Sequence, residues 1–290
     1  GLGMGIGKRP GEDSYYGFGG GMFVEFAGNI VLRDMVFSGN KAVGNDRGSG
    51  RGGSGSGGAV SFRSTRQATL TNVQFLNNQA LGGTGSSRGG SGLGGALYAW
   101  GSTLTGSNLV FDGNIARGGN SSGNGDDAGR AEGMGGACSF QENAKATLTN
   151  IKATNNQAIG GNAAVNAGGG YGGAIEGEVA TITIDGADIR GNLAQGGNAQ
   201  SGWFASGGGV MTTDSTLTIN RATIINNTAQ GGTGTSGANG APNGGGLMTT
   251  WFKDGTTSRL TLTNSIVADN KAYKGGGAKV EVGGGGGLWI

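Results

Sequence analysis

The sequence predicts an all-β fold: a right-handed parallel β-helix of about seven coils, each with three short strands, and with long Gly-rich loops leaving one corner. The first observation behind this prediction is a repeat of 35 to 41 residues, a period typical of stacked architectures. The second is an alternation of apolar residues with Thr inside each repeat, which is typical of a strand with one buried face. The third is an Asn that recurs at the same place in every repeat.

Each repeat opens with a Gly-Gly pair that is followed by a small residue and an apolar one. The segment after the pair, such as Ala96–Ala99, reads as a short strand. We therefore assign residues 20–290 to a single solenoid domain and residues 1–19 to a Gly-rich lead-in segment. The coils are expected to open near Gly20, Gly57, Gly94, Gly135, Gly172, Gly207 and Gly244, with an eighth beginning at Gly285.

Two further strands are predicted between the Gly-Gly pair and the Asn. The first carries a Thr between apolar positions, and the second places an apolar residue, such as Phe75 or Phe111, three residues before the Asn. Three strands this close together cannot form a meander with its own core, but they can form one coil that pairs with the coils above and below. Parallel crossovers are nearly always right-handed, which gives the handedness.

The recurrent Asn is predicted to form a buried ladder along the solenoid. Its side-chain amide carries both donors and an acceptor, so each copy can bond the next copy and the turn backbone. The Ala two residues later fits a crowded corner. The predicted ladder consists of Asn40, Asn78, Asn114, Asn156, Asn192, Asn227 and Asn270.

A variable Gly-rich segment, here called a flap, follows each Asn-x-Ala. Five flaps open with Gly-Gly-Asn or Gly-Gly-Thr, at Gly82, Gly118, Gly160, Gly196 and Gly231. Two interpretations remain open for these segments: flexible linkers, or a short additional ladder formed by their first residues.

Composition narrows the classes of function. Charged residues make up 13% of the chain, its net charge is +2, and its basic residues are scattered, so we expect no nucleic-acid partner. His is absent and the one Cys, Cys138, occupies an apolar position of the repeat, so we expect no metal and no cofactor. No apolar stretch has the length of a membrane span and no signal peptide is present. The chain begins at Gly1, which suggests a processed product or a piece of a longer chain.

The alternating motifs resemble the polymorphic outer-membrane protein repeats of bacterial surface proteins and autotransporter passengers, which carry GGA[ILV] and FxxN tetrapeptides. The matching segments are Gly57–Val60, Gly94–Leu97, Gly172–Ile175, Phe37–Asn40, Phe75–Asn78 and Phe111–Asn114, within a stretch from about Gly19 to Ile290. The resemblance implies a secreted or surface-displayed β-helix, often adhesive. The chain differs from that family in its long Gly-rich segments, and we expect no translocator barrel in it.

Parallel β-helices also include polysaccharide lyases and hydrolases, so four residues on one predicted strand face are candidates for glycan binding. Tyr98 and Trp100 could form a stacking platform for sugar rings, or could pack at the edge under a loop. Glu176 and Glu178 would lie about 7 Å apart, within the inverting range for glycoside hydrolysis, or could simply belong to a solvated strand face.

Two weaker patterns were also considered. The Thr column suggests ice binding, but the second file of such a surface is interrupted by Asp185, and ordinary β-propensity explains the first file. Asp126 and Asp127 could bind calcium, although a lone pair without Gly-x-Asp periodicity is weak evidence.

The expected function is therefore that of a non-catalytic structural β-solenoid, extracellular or on a bacterial cell surface, and fibre-forming or adhesive. The expected partners are a further copy stacked end to end, or more coils of a longer chain, and a surface glycan. The alternative is a glycan-binding or polysaccharide-cleaving β-helix.

Overall fold

The computed structural model describes residues 2–3, 16–122, 131–251, 257–277 and 285–290 of the chain. Apart from one 3₁₀ turn, Gly275–Gly277, the regular elements in these ranges are β-strands, and each strand pairs in parallel with its counterpart one repeat away. The predicted all-β parallel solenoid of about seven coils is thus confirmed. Its strands form four sheets that run along the solenoid axis.

The first sheet contains the strands that follow the Gly-Gly pairs. Along these strands Val60 and Phe62 point into the core, while Ser61 and Arg63 point away from it, as strand alternation requires. The eight strands are Met22–Glu25, Val60–Arg63, Leu97–Trp100, Cys138–Gln141, Ile175–Glu178, Val210–Thr213, Leu247–Thr250 and Leu288–Trp289.

The second sheet contains the longest strands. Six of them have ten residues and carry a left-handed residue at the sixth position, for example Asn72 with φ 53° and Asn108 with φ 54°. Asn and Gly tolerate this conformation, so the strand turns a corner there, and strand pairing resumes in the same register beyond it. The strands are Asn29–Ser38, Gln67–Leu76, Thr103–Asp112, Lys145–Thr154, Thr181–Arg190, Thr216–Ile225, Arg259–Thr263 and Ile266–Ala268.

The third and fourth sheets are narrow and lie on either side of the flaps. The third contains the Asn-x-Ala signal and consists of Leu2–Gly3, Lys41–Val43, Gln79–Leu81, Ile115–Arg117, Gln157–Ile159, Leu193–Gln195, Thr228–Gln230 and Lys271–Tyr273. The fourth lies just before the Gly-Gly pair and consists of Gly17–Phe18, Gly55–Ser56, Gly92–Leu93, Gly133–Met134, Gly170–Tyr171, Ala205–Ser206 and Pro242–Asn243.

In the first five fourth-sheet strands, the first residue is a Gly that approaches the third sheet too closely for a side chain, whereas Ala205 and Pro242 hold this position in the last two. A Cβ on Gly92 would lie 2.4 Å from the backbone N of Arg117 and 2.5 Å from the backbone O of Ala80. Ala80 and Ala116 on the opposing sheet are completely buried, as the crowded-corner interpretation predicts. The Gly that lies two residues before each of these five Gly-Gly pairs, such as Gly92, is therefore explained by backbone contact between the third and fourth sheets.

One contiguous apolar core fills the space between the first and second sheets, from Val24 to Leu247. Equivalent side chains stack along it, and the rings of Phe37, Phe75 and Phe111 lie 5.4 and 4.9 Å apart between neighbouring centroids. Cys138 is part of this core, and burial raises the pKa of its thiol.

Two details differ from the expectation. Each coil has four strands instead of three, because the two strands predicted before the Asn form one bent strand and the two narrow sheets are additional. The first coil also opens one residue earlier, at Gly19, because Met22 pairs with Val60 and Gly19 has the left-handed φ of 52° that Gly57 has in the next coil.

Candidate functional site

The seven predicted Asn residues form a continuous ladder inside the solenoid. Each side-chain Nδ2 donates to the Oδ1 of the Asn in the following coil at 2.8–3.0 Å, from Asn40 through to Asn270. The same Oδ1 also accepts the backbone N–H of the preceding Asn, as Asn156 Oδ1 does from Asn114 at 3.0 Å. The ladder therefore combines side-chain and backbone bonds in one file.

The interior members of the ladder use their full hydrogen-bonding capacity. The second Nδ2 hydrogen of Asn156 bonds the carbonyl of Phe111 at 3.0 Å, and its Oδ1 accepts two bonds. Asn78, Asn114, Asn156 and Asn227 have no exposed surface. A buried amide of this kind is stable only while all its partners are present, so the ladder fixes the register of the coils.

The flaps form a second hydrogen-bonded layer beside the coil. Each flap has an outgoing limb, such as Gly83, and a returning limb, such as Gly90, and the two kinds of limb alternate along the axis. Gly83 N–H donates to Gly53 O, Gly90 N–H to Gly83 O and Gly119 N–H to Gly90 O, all at 2.8–2.9 Å. A Cβ on Gly90 would lie 1.8 Å from the Gly53 carbonyl oxygen. These limbs pack backbone against backbone, which explains their glycine content.

The first residues of the flaps form their own ladder. Asn162 N–H donates to Asn120 Oδ1 at 3.0 Å, Asn198 N–H to Asn162 Oδ1 at 2.8 Å, and Thr233 N–H to Asn198 Oδ1 at 2.8 Å. Thr84 makes the same bond to Asp46 in the first two flaps, at 2.7 Å. Of the two interpretations left open by the sequence, the structure supports the additional ladder. Asp126 and Asp127 belong to a flap but lie outside the described residues.

The four candidate residues for glycan binding lie on the outer surface where the first and fourth sheets meet, a strip that we call the outer groove. Each first-sheet strand contributes its second and fourth residues to this strip, for example Tyr98 and Trp100. Each fourth-sheet strand contributes its second residue, for example Leu93. The second positions are buried in the second to seventh first-sheet strands, where Tyr98 is 6% exposed, Ser139 is 0% exposed and Glu176 is 2% exposed, whereas Phe23 in the first strand is 40% exposed.

Tyr98 and Trp100 differ in how far they are exposed to solvent. The Tyr98 hydroxyl donates to Gln141 Oε1 at 3.1 Å and its ring is largely covered. Trp100 is partly exposed, and the guanidinium of Arg63 lies 5.3 Å from its ring centroid. Trp100 therefore offers an accessible ring, whereas Tyr98 belongs to the wall of the groove.

Glu176 and Glu178 also differ in environment. The Ser139 hydroxyl donates to Glu176 Oε2 at 2.7 Å. Burial, followed by the negative charge of Glu178, raises the pKa of Glu176 well above its usual range. Glu178 is exposed at the edge of the strand, and partial desolvation together with Glu142 and Asp214 raises its pKa to a smaller extent. The pair thus consists of one enclosed carboxyl and one accessible carboxyl.

The residues of the groove change from aromatic and charged in the first coils to small and polar or Met in the last coils, a change that the sequence predictions above do not include. Along the first three coils the groove contains Phe18, Phe23, Arg63 and Trp100, and Phe18 stacks on Phe23 with centroids 5.0 Å apart. The same positions in the sixth and seventh coils hold Ser206, Asn243, Met211, Met248, Thr213 and Thr250. Aligning the columns that flank the Gly-Gly pairs would have revealed this difference.

The stacked Thr residues, such as Thr183 and Thr218, lie on the outer face of the second sheet. The row of residues two positions further along the strands includes Asp185, which forms an ion pair. Asp185 accepts hydrogen bonds from Arg221 at 2.9 and 2.6 Å and from Asn220 at 2.8 Å. The bonds from Arg221 and Asn220 lower the pKa of Asp185. A charged pair thus interrupts the second file, as the sequence suggested.

Within the described ranges, no group of three or more Cys, Asp or Glu side chains is arranged to hold a metal ion. The same residues include no helix long and apolar enough to cross a membrane. No protein-family model matches the chain, and a search of curated proteins finds no significant match.

Proposed function

We propose that this protein is a non-catalytic structural β-solenoid that acts outside the cell or on a bacterial cell surface, as a rod- or fibre-forming and adhesive scaffold. The observation that carries the proposal is axial continuity: four sheets, one core and one buried Asn ladder run through all seven coils. A rod of this kind gains rigidity from every coil, because each coil bonds both neighbours. The resemblance of its tetrapeptides to polymorphic outer-membrane protein repeats supports the surface location.

Parallel strand addition supplies a route to fibres. Leu288–Trp289 pairs with Leu247–Thr250 and extends the first sheet by one strand, and the outer edge of such a strand offers N–H and C=O groups to a further one. The next strand would come from a second copy stacked head to tail or from more coils of the same chain. Heterologous stacking of copies gives an open filament.

Two measurements test the scaffold proposal. Electron microscopy of native material should show rods or continuous filaments, and analytical ultracentrifugation of concentrated purified protein should show species larger than 28.4 kDa. Isolated compact particles in the native material, together with a strictly monomeric purified protein, would contradict it.

The second candidate function is glycan binding or cleavage in the outer groove. It is favoured by the enclosed Glu176, whose raised pKa suits a general acid, beside the accessible Glu178 on the same strand. Incubation with a panel of polysaccharides decides between the candidates: new reducing ends or unsaturated products that disappear in Glu176→Gln would establish the enzyme. The scaffold proposal predicts no products with either protein.

A further inference from the structure

The groove of the first three coils contains an arginine held between two aromatic rings. The guanidinium of Arg63 lies 5.2 Å from the centroid of Phe18 and 5.3 Å from that of Trp100. Its Nη1 also bonds Glu25 Oε1 at 3.1 Å. These partners lie on three different strands: Phe18 just before the first coil, Glu25 in the first coil and Trp100 in the third.

This arginine retains donor capacity where water has limited access. The Arg63 side chain is 18% exposed, and its contacts in the described part of the chain are the ion pair with Glu25 and the two rings. A guanidinium has five N–H donors, and aromatic faces satisfy its charge but accept no strong hydrogen bond. Several N–H donors of Arg63 therefore have no hydrogen-bond acceptor among the described residues and are open to water or a ligand.

Ser61 lies two residues before Arg63 on the same outward face of the strand, and its side chain is completely buried. Its hydroxyl has no hydrogen-bond partner among the described residues, which is unusual for a buried polar atom. Because Ser61 is enclosed, the polar groups that can meet a ligand here are Arg63 and its partner Glu25, whose side chains are 18% and 34% exposed.

The walls of this region are apolar and aromatic. Phe23 is 40% exposed, Trp100 is partly exposed, and Phe26 at the rim is 78% exposed. Flat rings beside a donor–acceptor pair suit a pyranose, because its C–H face packs on an aromatic ring while its hydroxyls bond the charged groups. Glu25 balances the charge of Arg63, which disfavours an anionic sugar relative to a neutral one.

We propose that the outer groove of coils one to three is a binding site for neutral hexose glycans, formed by Trp100 and Phe23 as stacking rings and by Arg63 with Glu25 as the hydroxyl-binding pair. This inference rests on the proposed function, since it names the ligand of the adhesive scaffold. It also moves the glycan contact away from Tyr98 and Glu176, which are enclosed, and keeps Trp100.

The test is calorimetric titration of the purified chain with cellohexaose, mannohexaose and laminarihexaose, and with a hexamer of galacturonic acid as the anionic comparison. At least one neutral oligosaccharide should bind. Trp100→Ala and Arg63→Gln should each weaken binding about tenfold or more, as for a central contact residue. Trp251→Ala is the matched control, because Trp251 is also exposed, at 58%, but lies on the seventh coil, and its affinity should stay within about twofold.

Arg63→Lys adds a variant that keeps the charge and most of the stem, and it should still lose affinity because the planar fork is missing. Circular dichroism of every variant checks that the solenoid is intact. The site proposal is overturned if no neutral oligosaccharide binds, if the uronate hexamer binds best, or if Trp251→Ala weakens binding as much as Trp100→Ala. The scaffold proposal would survive those results, whereas cleavage products in the same mixtures would contradict the scaffold and leave the binding site in place.

Discussion

Two of the asparagine ladders in the described residues share one kind of bond, a backbone N–H that donates to the Asn Oδ1 of a neighbouring coil, but have opposite surroundings. In the buried ladder Asn156 has no exposed surface and each of its amide atoms is bonded. In the flap ladder Asn162 is exposed, and its Oδ1 accepts one backbone N–H, that of Asn198. The two ladders also run in opposite directions: Asn156 N–H donates to the following coil, whereas Asn198 N–H donates to the preceding one.

This comparison indicates that burial, more than the presence of a hydrogen bond, decides what a ladder contributes. An exposed amide that loses its partner exchanges it for water at little cost. A buried amide has no such exchange, so its loss leaves unsatisfied groups in the neighbouring coils. We therefore expect the coil body to determine stability and the flaps to tolerate change.

The largest effect is expected for Asn156→Asp. The aspartate loses both Nδ2 donors and directs carboxylate oxygens at Asn192 Oδ1 and the Phe111 carbonyl, which are acceptors themselves. Urea unfolding followed by circular dichroism should show a loss of about 3 kcal/mol or more. The control, Asn162→Asp in the flap ladder, should stay within about 0.5 kcal/mol of the parent protein. Equal losses for the two variants would show that burial is not the deciding factor.

The next largest effect is expected at the contact between the third and fourth sheets. Gly92→Ala places a methyl group 2.4–2.5 Å from backbone atoms of Arg117 and Ala80, which cannot move without separating the sheets. The free energy of unfolding should fall by about 1–3 kcal/mol. Gly48→Ala is the matched control in a flap, because a Cβ there meets no atom within 4 Å. A Gly48→Ala variant as unstable as Gly92→Ala would contradict the proposed tolerance of the flaps.

A smaller and pH-dependent effect is expected at the enclosed carboxyl. Since the pKa of Glu176 is raised in the folded state, the folded protein keeps a proton that the unfolded chain releases above about pH 4.3. Stability should therefore fall as pH rises from that value to the raised pKa, and Glu176→Gln should remove this part of the pH dependence. Glu178→Gln, at the more accessible carboxyl, should change it less. Melting temperatures between pH 4 and pH 8 provide the measurement, and parallel curves for Glu176→Gln and the parent would refute the assignment.

The smallest effect is expected for Asn162→Ala. It removes one acceptor for the Asn198 N–H at a site open to water, and the backbone bonds of the flap limbs remain. The change in unfolding free energy should be below about 0.5 kcal/mol. A loss comparable to that of Asn156→Asp would mean that the flap layer stabilises the coil.

The periodic features of the fold were predictable from the sequence. Asn156 and its counterparts recur at one offset, so their stacking followed from the parallel coil, and the alternation around Thr147 gave the faces of the second sheet. The corner at Asn72 was not predicted, although Asp, Asn or Gly recurs there six residues before the ladder Asn in six coils, because the strand resumes the same register beyond its one left-handed residue. The two-residue strands of the fourth sheet are too short to show any period.

The candidate site was predictable only in part. Trp100 could be identified because it is an aromatic at an outward position, but the burial of Tyr98 depends on the neighbouring fourth sheet. Arg63 gave no signal of its own in the sequence, since its environment is formed by Phe18 and Trp100 from other coils. Contacts between side chains of different sheets depend on how the sheets pack against each other, and the pattern of a single repeat contains no information on that packing.

The most direct test of the central claim is hydrogen exchange at two backbone amides, measured by NMR under native conditions. The N–H groups of Asn114 and Asn162 both donate to an Asn Oδ1 at 3.0 Å, the first to buried Asn156 and the second to exposed Asn120. The burial account predicts that Asn114 exchanges only through global or sub-global unfolding, while Asn162 exchanges through local opening and far faster. Equal protection of the two amides would contradict it.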